Sequence, residues 1–121
     1  MKKKSAVGAL AALAQETRLD IFRLLVKAGP DGLPAGKIGE QLKVAPATLS
    51  FHLTQLATAG LARFRQEGRY VIYSADFDTM SELLGFLSED CCGGKAVCAI
   101  PAAAAAAPVA EAPRKRRKVA A

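Results

Sequence analysis

Ala35-Gly-Lys-Ile-Gly-Glu-Gln-Leu42, Lys43-Val-Ala45 and Pro46-Ala-Thr-Leu-Ser-Phe-His-Leu-Thr-Gln-Leu-Ala-Thr-Ala-Gly60 decide the fold. Pro34 opens a short helix over Ala35 to Leu42, with Ile38 and Leu42 as its inward pair. After a tight connection, Pro46 begins a second helix that continues from Ala47 to Ala59. Proline's fixed φ suits a first helical turn, and its missing N–H costs nothing there. Gly60 closes that helix. Leu49, Leu53 and Leu56 face inward at i, i+4 and i+7, leaving Thr48, Ser50, Phe51, His52 and Gln55 on outer faces.

Beyond Gly60 the hydrophobic rhythm changes to that of strands. Leu61 to Gln66 and Arg69 to Ser74 are β-rich runs joined by Glu67-Gly68, a two-residue hairpin signal. A last helix is expected over Asp76 to Leu87, with Phe77, Met80, Leu84 and Leu87 along one side and Leu83 beside it. Upstream, residues 6–14 read as an Ala-rich helix with Leu10 and Leu13 on its apolar side. Thr17 then caps a further helix in capping-box style with Asp20, and Asp20, Arg23 and Lys27 form its polar stripe. Gly29-Pro30 and Asp31-Gly32 stop it. The domain thus covers residues 1–90, followed by a three-cysteine segment at 91–98 and an Ala/Pro linker with a basic tail at 99–121.

Seventeen Lys and Arg against eleven Asp and Glu give a net charge of +6. The excess sits at the ends: Lys2, Lys3 and Lys4 at the start, and six bases against Glu111 in residues 91–121. Residues 10–90 hold eight bases and ten acids, which excludes a uniformly basic, polyanion-coating domain. Nucleic-acid binding therefore requires a local basic feature on a mildly acidic body. No apolar run reaches the ~18 residues of a membrane span. Met1-Lys-Lys-Lys4 and the alanines after it mimic a secretory leader. The apolar pattern nevertheless continues through Leu19, Phe22 and Leu25, and three cysteines cannot all pair internally, so a cytoplasmic chain is expected.

Two short helices with a tight turn, followed directly by a hairpin, predict an α+β winged helix-turn-helix. The first helix of the pair braces the second so that its outer face enters a major groove. The candidate DNA contacts are Ala47, Thr48, Ser50, Phe51, His52 and Gln55 on that helix, with Arg65 and Arg69 of the hairpin on flanking phosphates. A small α+β domain with a solvated hairpin edge is the plain alternative.

Ala12-Leu-Ala-Gln-Glu-Thr-Arg-Leu19 and Ser50-Phe-His-Leu53 before Gly60-Leu61, in that order, resemble the ArsR-type family of metal-responsive winged-helix repressors. The resemblance covers residues 6–90. It implies a homodimer, formed by the first and last helices, that sits on palindromic operator DNA and leaves it when an inducer binds. One family sensor site resembles a Cys-Val-Cys before the recognition helix, but Lys43-Val-Ala45 stands there. Another uses Asp and His on the last helix, whereas the single histidine is His52.

Cys91, Cys92 and Cys98 remain as the candidate ligands, and they resemble the family's C-terminal Cys-Cys…Cys site for arsenite or antimonite. Three thiolates offer a soft, trigonal set suited to As(III) or Sb(III), and Gly93-Gly94 can turn the chain back on itself. Lys95 favours thiolate, while Glu89 and Asp90 oppose it. A thiol-based redox or persulfide sensor, zinc with a borrowed fourth ligand, or plain surface thiols are the competing readings. An enzyme is not expected, because the chain has neither a glycine-rich phosphate loop nor a Cys-x5-Arg arrangement, and no catalytic cofactor is called for. Pro113-Arg-Lys-Arg-Arg-Lys-Val119 resembles a nuclear import signal, or adds non-specific phosphate attraction.

Overall fold

The computed structural model describes residues 1–94. Cys98, the linker and the basic tail lie outside the described residues. Five helices and a three-stranded sheet follow one another as α1 (Lys3–Leu13), α2 (Glu16–Ala28), β1 (Leu33–Pro34), α3 (Ala35–Leu42), α4 (Pro46–Thr58), β2 (Ala62–Glu67), β3 (Tyr70–Ala75) and α5 (Phe77–Leu87). This is the winged helix-turn-helix expected from the helix–turn–helix–hairpin order.

The helix-turn-helix pair owes its shape to local signals. Pro46 is the first residue of α4, and α3 runs over Ala35–Leu42 as the spacing required. Lys43 adopts φ 57 to turn the chain, and Val44 N–H reaches back to the Gly39 carbonyl at 3.0 Å. The same closure ends α4: Gly60 at φ 82 lets Leu61 N–H donate to Leu56 O and Gly60 N–H to Ala57 O, both at 3.0 Å.

The core lies where α2, α3 and α4 meet the sheet. Ile21, Leu25, Ile38, Leu53, Leu56 and Leu61 are fully enclosed there. Burying each such side chain stabilises the fold by about 1.5–3 kcal/mol relative to leaving it exposed. Leu49, Ala62, Ile72, Ala75 and Leu83 extend the core.

Several local expectations are corrected. On α1 the buried face is Ala6, Ala9 and Ala12, while Leu10 points outward and Leu13 is half-buried. Small side chains let α1 approach its neighbours closely, so alanine rather than leucine marks the inward side. The cap of α2 is Gln15, whose side chain accepts from the Arg18 amide at 2.9 Å, and not Thr17. Leu33–Pro34 forms an unforeseen strand, pairing Leu33 with Tyr73 and Pro34 with Ile72 in the order β1-β3-β2. The hairpin turn is Gly68-Arg69, one residue later than expected, because Glu67 pairs with Tyr70. Gly68 takes φ 61, the positive value demanded at the first position of such a turn. In α5 the buried residue is Leu83, whereas Phe77, Met80 and Leu84 are half-buried and Leu87 is exposed.

Candidate nucleic-acid interface

Helix α4 is held by its leucines and presents the rest. Leu49, Leu53 and Leu56 anchor it, so Ala47, Thr48, Ser50, Phe51 and Gln55 all stand on the exposed side. Phe51 is 57% exposed, a large apolar group with no core role. Thr54 and Thr58 share this exposed surface and escaped the sequence reading, although they follow Ala47 and Phe51 at helical spacing. The polar side chains here, three threonines, a serine and a glutamine, can each donate to or accept from a base edge or phosphate.

His52 departs from the expectation. It is only 8% exposed and faces inward, beside Leu53 and Leu56 on the buried arc of the helix. Its Nδ1 lies 3.3 Å from Nη1 of Arg18, and the Phe51 ring stands edge-on to it at 5.6 Å. The residue is packed against the body, not offered to a groove.

The wing arginines divide into two kinds. Arg63 donates through Nε to Asp76 at 3.1 Å, and its Nη2 lies 3.7 Å from Asp78. Arg65 pairs with Glu67 and donates to the Asp31 carbonyl at 2.9 Å. These contacts splint the wing to α5 and to the loop before β1. Arg69 at the turn has no hydrogen bond or ion pair among the described residues. Lys37 on α3 and Lys43 in the connection are likewise exposed and unpaired, and sequence reasoning passed over both. Their place beside the helix-turn-helix was the available signal.

Asp76 anchors the far side of the wing. Burial works to raise its pKa, but the Thr79 amide at 3.0 Å and the Arg63 guanidinium outweigh it and hold the carboxyl below its ordinary value. Asp76 thereby caps α5, the helix that leads to the cysteines.

Past α5 the chain curls in two successive turns, with Cys91 N–H donating to Ser88 O at 2.9 Å and Gly93 N–H to Asp90 O at 3.0 Å. Asp90, Cys92 and Gly93 all take left-handed conformations. The curl brings the Sγ atoms of Cys91 and Cys92 to 3.7 Å. Cys91 is a free thiol, whereas Cys92 is held in a disulfide, so this separation is not that of two free thiolates. Among the described residues no group of three or more His, Cys, Asp and Glu side chains is placed to hold a metal ion. A third sulfur would come from Cys98, outside the described residues. Nor is any described helix long and apolar enough to cross a membrane.

Comparison with known proteins places this geometry. A family model described as a helix-turn-helix domain matches residues 13–63. The chain is 38% identical over 77 residues to the uncharacterized HTH-type transcriptional regulator YceK of Bacillus subtilis, covering 63% of this chain and 76% of that protein. It is 40% identical over 67 residues to the putative arsenical resistance operon repressor ArsR of Halobacterium salinarum, covering 55% of this chain and about half, 51%, of that protein. Among solved structures, an ArsR-like transcriptional regulator from Rhodococcus sp. RHA1 superposes with a TM-score of 0.63 at 26% identity, covering 70% of this chain and 77% of that one.

Proposed function

Because the chain belongs to the HTH-type transcriptional regulators, we propose that it is a repressor of the ArsR type that binds operator DNA as a homodimer and leaves it when As(III) or Sb(III) binds Cys91, Cys92 and Cys98. One observation carries the DNA-binding part: the leucine-anchored α4 turns a polar and aromatic face outward, beside a wing whose tip bears a cation with no partner among the described residues. Thr48, Ser50, Phe51 and Gln55, with Thr54 and Thr58, meet base edges, and Arg69, Lys37 and Lys43 meet phosphates. Arg65 contributes less, because its charge is already engaged by Glu67. His52 acts from behind this face.

The homodimer reading rests on what α1 and α5 leave uncovered. The two helices pack together, yet Val7, Leu10 and Leu87 remain exposed. A second copy that covers them removes that apolar surface from water. Inducer binding then acts through α5. Three thiolates converging on one soft atom tighten the curl after Leu87 and shift α5 within the dimer, changing the spacing of two recognition helices whose half-sites the duplex fixes. The arsenical-resistance relative supports this choice of inducer, which acts on the reduced protein with the Cys92 disulfide opened.

The test is fluorescence anisotropy of the reduced protein on DNA from upstream of its own gene, with and without arsenite. The wild type releases the duplex by roughly 100-fold in affinity. Cys91→Ser, Cys92→Ser and Cys98→Ser each retain the complex under arsenite. If all three release normally, the inducer site is wrong. Release by persulfide or peroxide but not by arsenite replaces the metalloid with a thiol-redox signal.

A further inference from the structure

Arg18 ties three helices together. It lies in the first turn of α2, where its amide donates to Gln15 Oε1 at 2.9 Å. Its Nε donates to the Ala12 carbonyl, in the last turn of α1, at 2.6 Å. Its Nη1 lies 3.3 Å from Nδ1 of His52, on α4. A guanidinium has no lone pair with which to accept, so Arg18 donates and His52 carries its ring proton on Nε2.

Each end of this bridge has a reason to hold. Ala12 O is among the last carbonyls of α1, which lack an intrahelical donor and carry the negative end of the helix dipole. A cation that also donates there is favoured twice. At the other end His52 is a polar group on the buried arc of α4, and Arg18 is its hydrogen-bonding partner among the described residues. Apolar packing of leucines is non-directional and tolerates a small slide of one helix over another. A planar fork that bonds two helices from two edges does not, because both bonds require the same plane.

We infer that Arg18 is a positioning residue for sequence-specific DNA binding: through His52 it fixes the attitude of the recognition helix α4 against α1. The inference rests on the regulator reading above and deepens it. In that reading α1 is part of the dimer interface, so Arg18 relays the state of that interface to the face that reads bases.

The experiment first selects a duplex from a random-sequence library with the wild-type protein. Affinity for that duplex is then compared with affinity for a scrambled duplex of equal composition. Arg18→Met keeps the aliphatic stem and removes the fork; its preference for the selected duplex falls roughly 10-fold. Its affinity for the scrambled duplex, which reports phosphate attraction, stays at the wild-type value. His52→Leu behaves the same way. His52→Asn retains the preference, since its Oδ1 accepts close to where Nδ1 did. The double variant Arg18→Met/His52→Leu loses no more than either single change. Nitrogen-15 spectra of the imidazole show a bare Nδ1 in the wild type and an altered Nδ1 signal in Arg18→Met.

Undiminished preference in Arg18→Met overturns the inference. So do additive losses, which mean that His52 touches DNA itself, and so does a protonated Nδ1 in the wild type. If Arg18→Met does not fold, the contrast between His52→Asn and His52→Leu decides the matter. A wild type that selects no duplex overturns the regulator reading, whereas a selective wild type with insensitive variants overturns the inference alone.

Discussion

Replacing Arg69 with Gln removes the wing arginine that has no partner among the described residues, and its effect can be worked out in advance. Each phosphate neutralised by a side chain contributes about 0.9 to the slope of log affinity against log salt. The proposed dimer has two wings, so losing both contacts lowers the slope by about 1.8. Over a fourfold rise in salt, from ~50 to ~200 mM, the variant therefore loses ~12-fold less affinity than the wild type does. Arg65→Gln should move the slope by less than half as much, because Glu67 and the Asp31 carbonyl already hold that guanidinium. Anisotropy titrations of one duplex at five salt concentrations give all three slopes. An unchanged slope for Arg69→Gln, or a larger change for Arg65→Gln, refutes the assignment of the wing tip to the phosphate backbone.

Four further outcomes are expected. Asp76→Ala removes the α5 cap and the anchor of Arg63; it costs about 1 kcal/mol, a fall of ~4–8 °C in Tm for a domain of this size by calorimetry. Since the folded carboxyl of Asp76 is held below its ordinary value, its stabilisation is complete above ~pH 4 and drains as pH falls through the lowered pKa. The stability gap between wild type and Asp76→Asn should accordingly narrow in acid denaturation. Gly32→Ala costs more than ~1 kcal/mol in urea unfolding, because Gly32 takes φ 74 and a Cβ there would collide with the Tyr73 carbonyl oxygen. Deleting residues 109–121 lowers the salt slope and leaves the preferred sequence unchanged in a binding selection.

The parts of the fold legible in the sequence are those written locally. Pro46 and Gly60 bracket α4, and Ile38 with Leu49, Leu53 and Leu56 announces which sides face in. The wing was visible as alternation around a glycine turn. What escaped depends on distant partners. Leu33–Pro34 is a strand only because β3 lies beside it, some forty residues on by the Leu33–Tyr73 pairing. His52 lies at i+3 from Leu49, within the buried arc, and reads as outward only because it is polar; its partner there is an arginine 34 positions earlier. On α1 the leucine side seemed the natural core face, yet the alanines take it and Leu10 stays exposed. The candidate DNA face was largely read correctly as a surface, since exposure follows from helical spacing; the pairing of Arg63 and Arg65 with carboxylates does not.

In the proposed function, the outward face of α4 and the wing tip are where this chain meets duplex DNA. Titrating isotope-labelled protein with a selected duplex and following amide and side-chain resonances tests it directly. The largest shifts are expected at Thr48, Ser50, Phe51, Thr54, Gln55 and Arg69, with Val7, Leu10 and Leu87 little changed. Shifts concentrated on α1 and α5, with α4 and the wing silent, would contradict it.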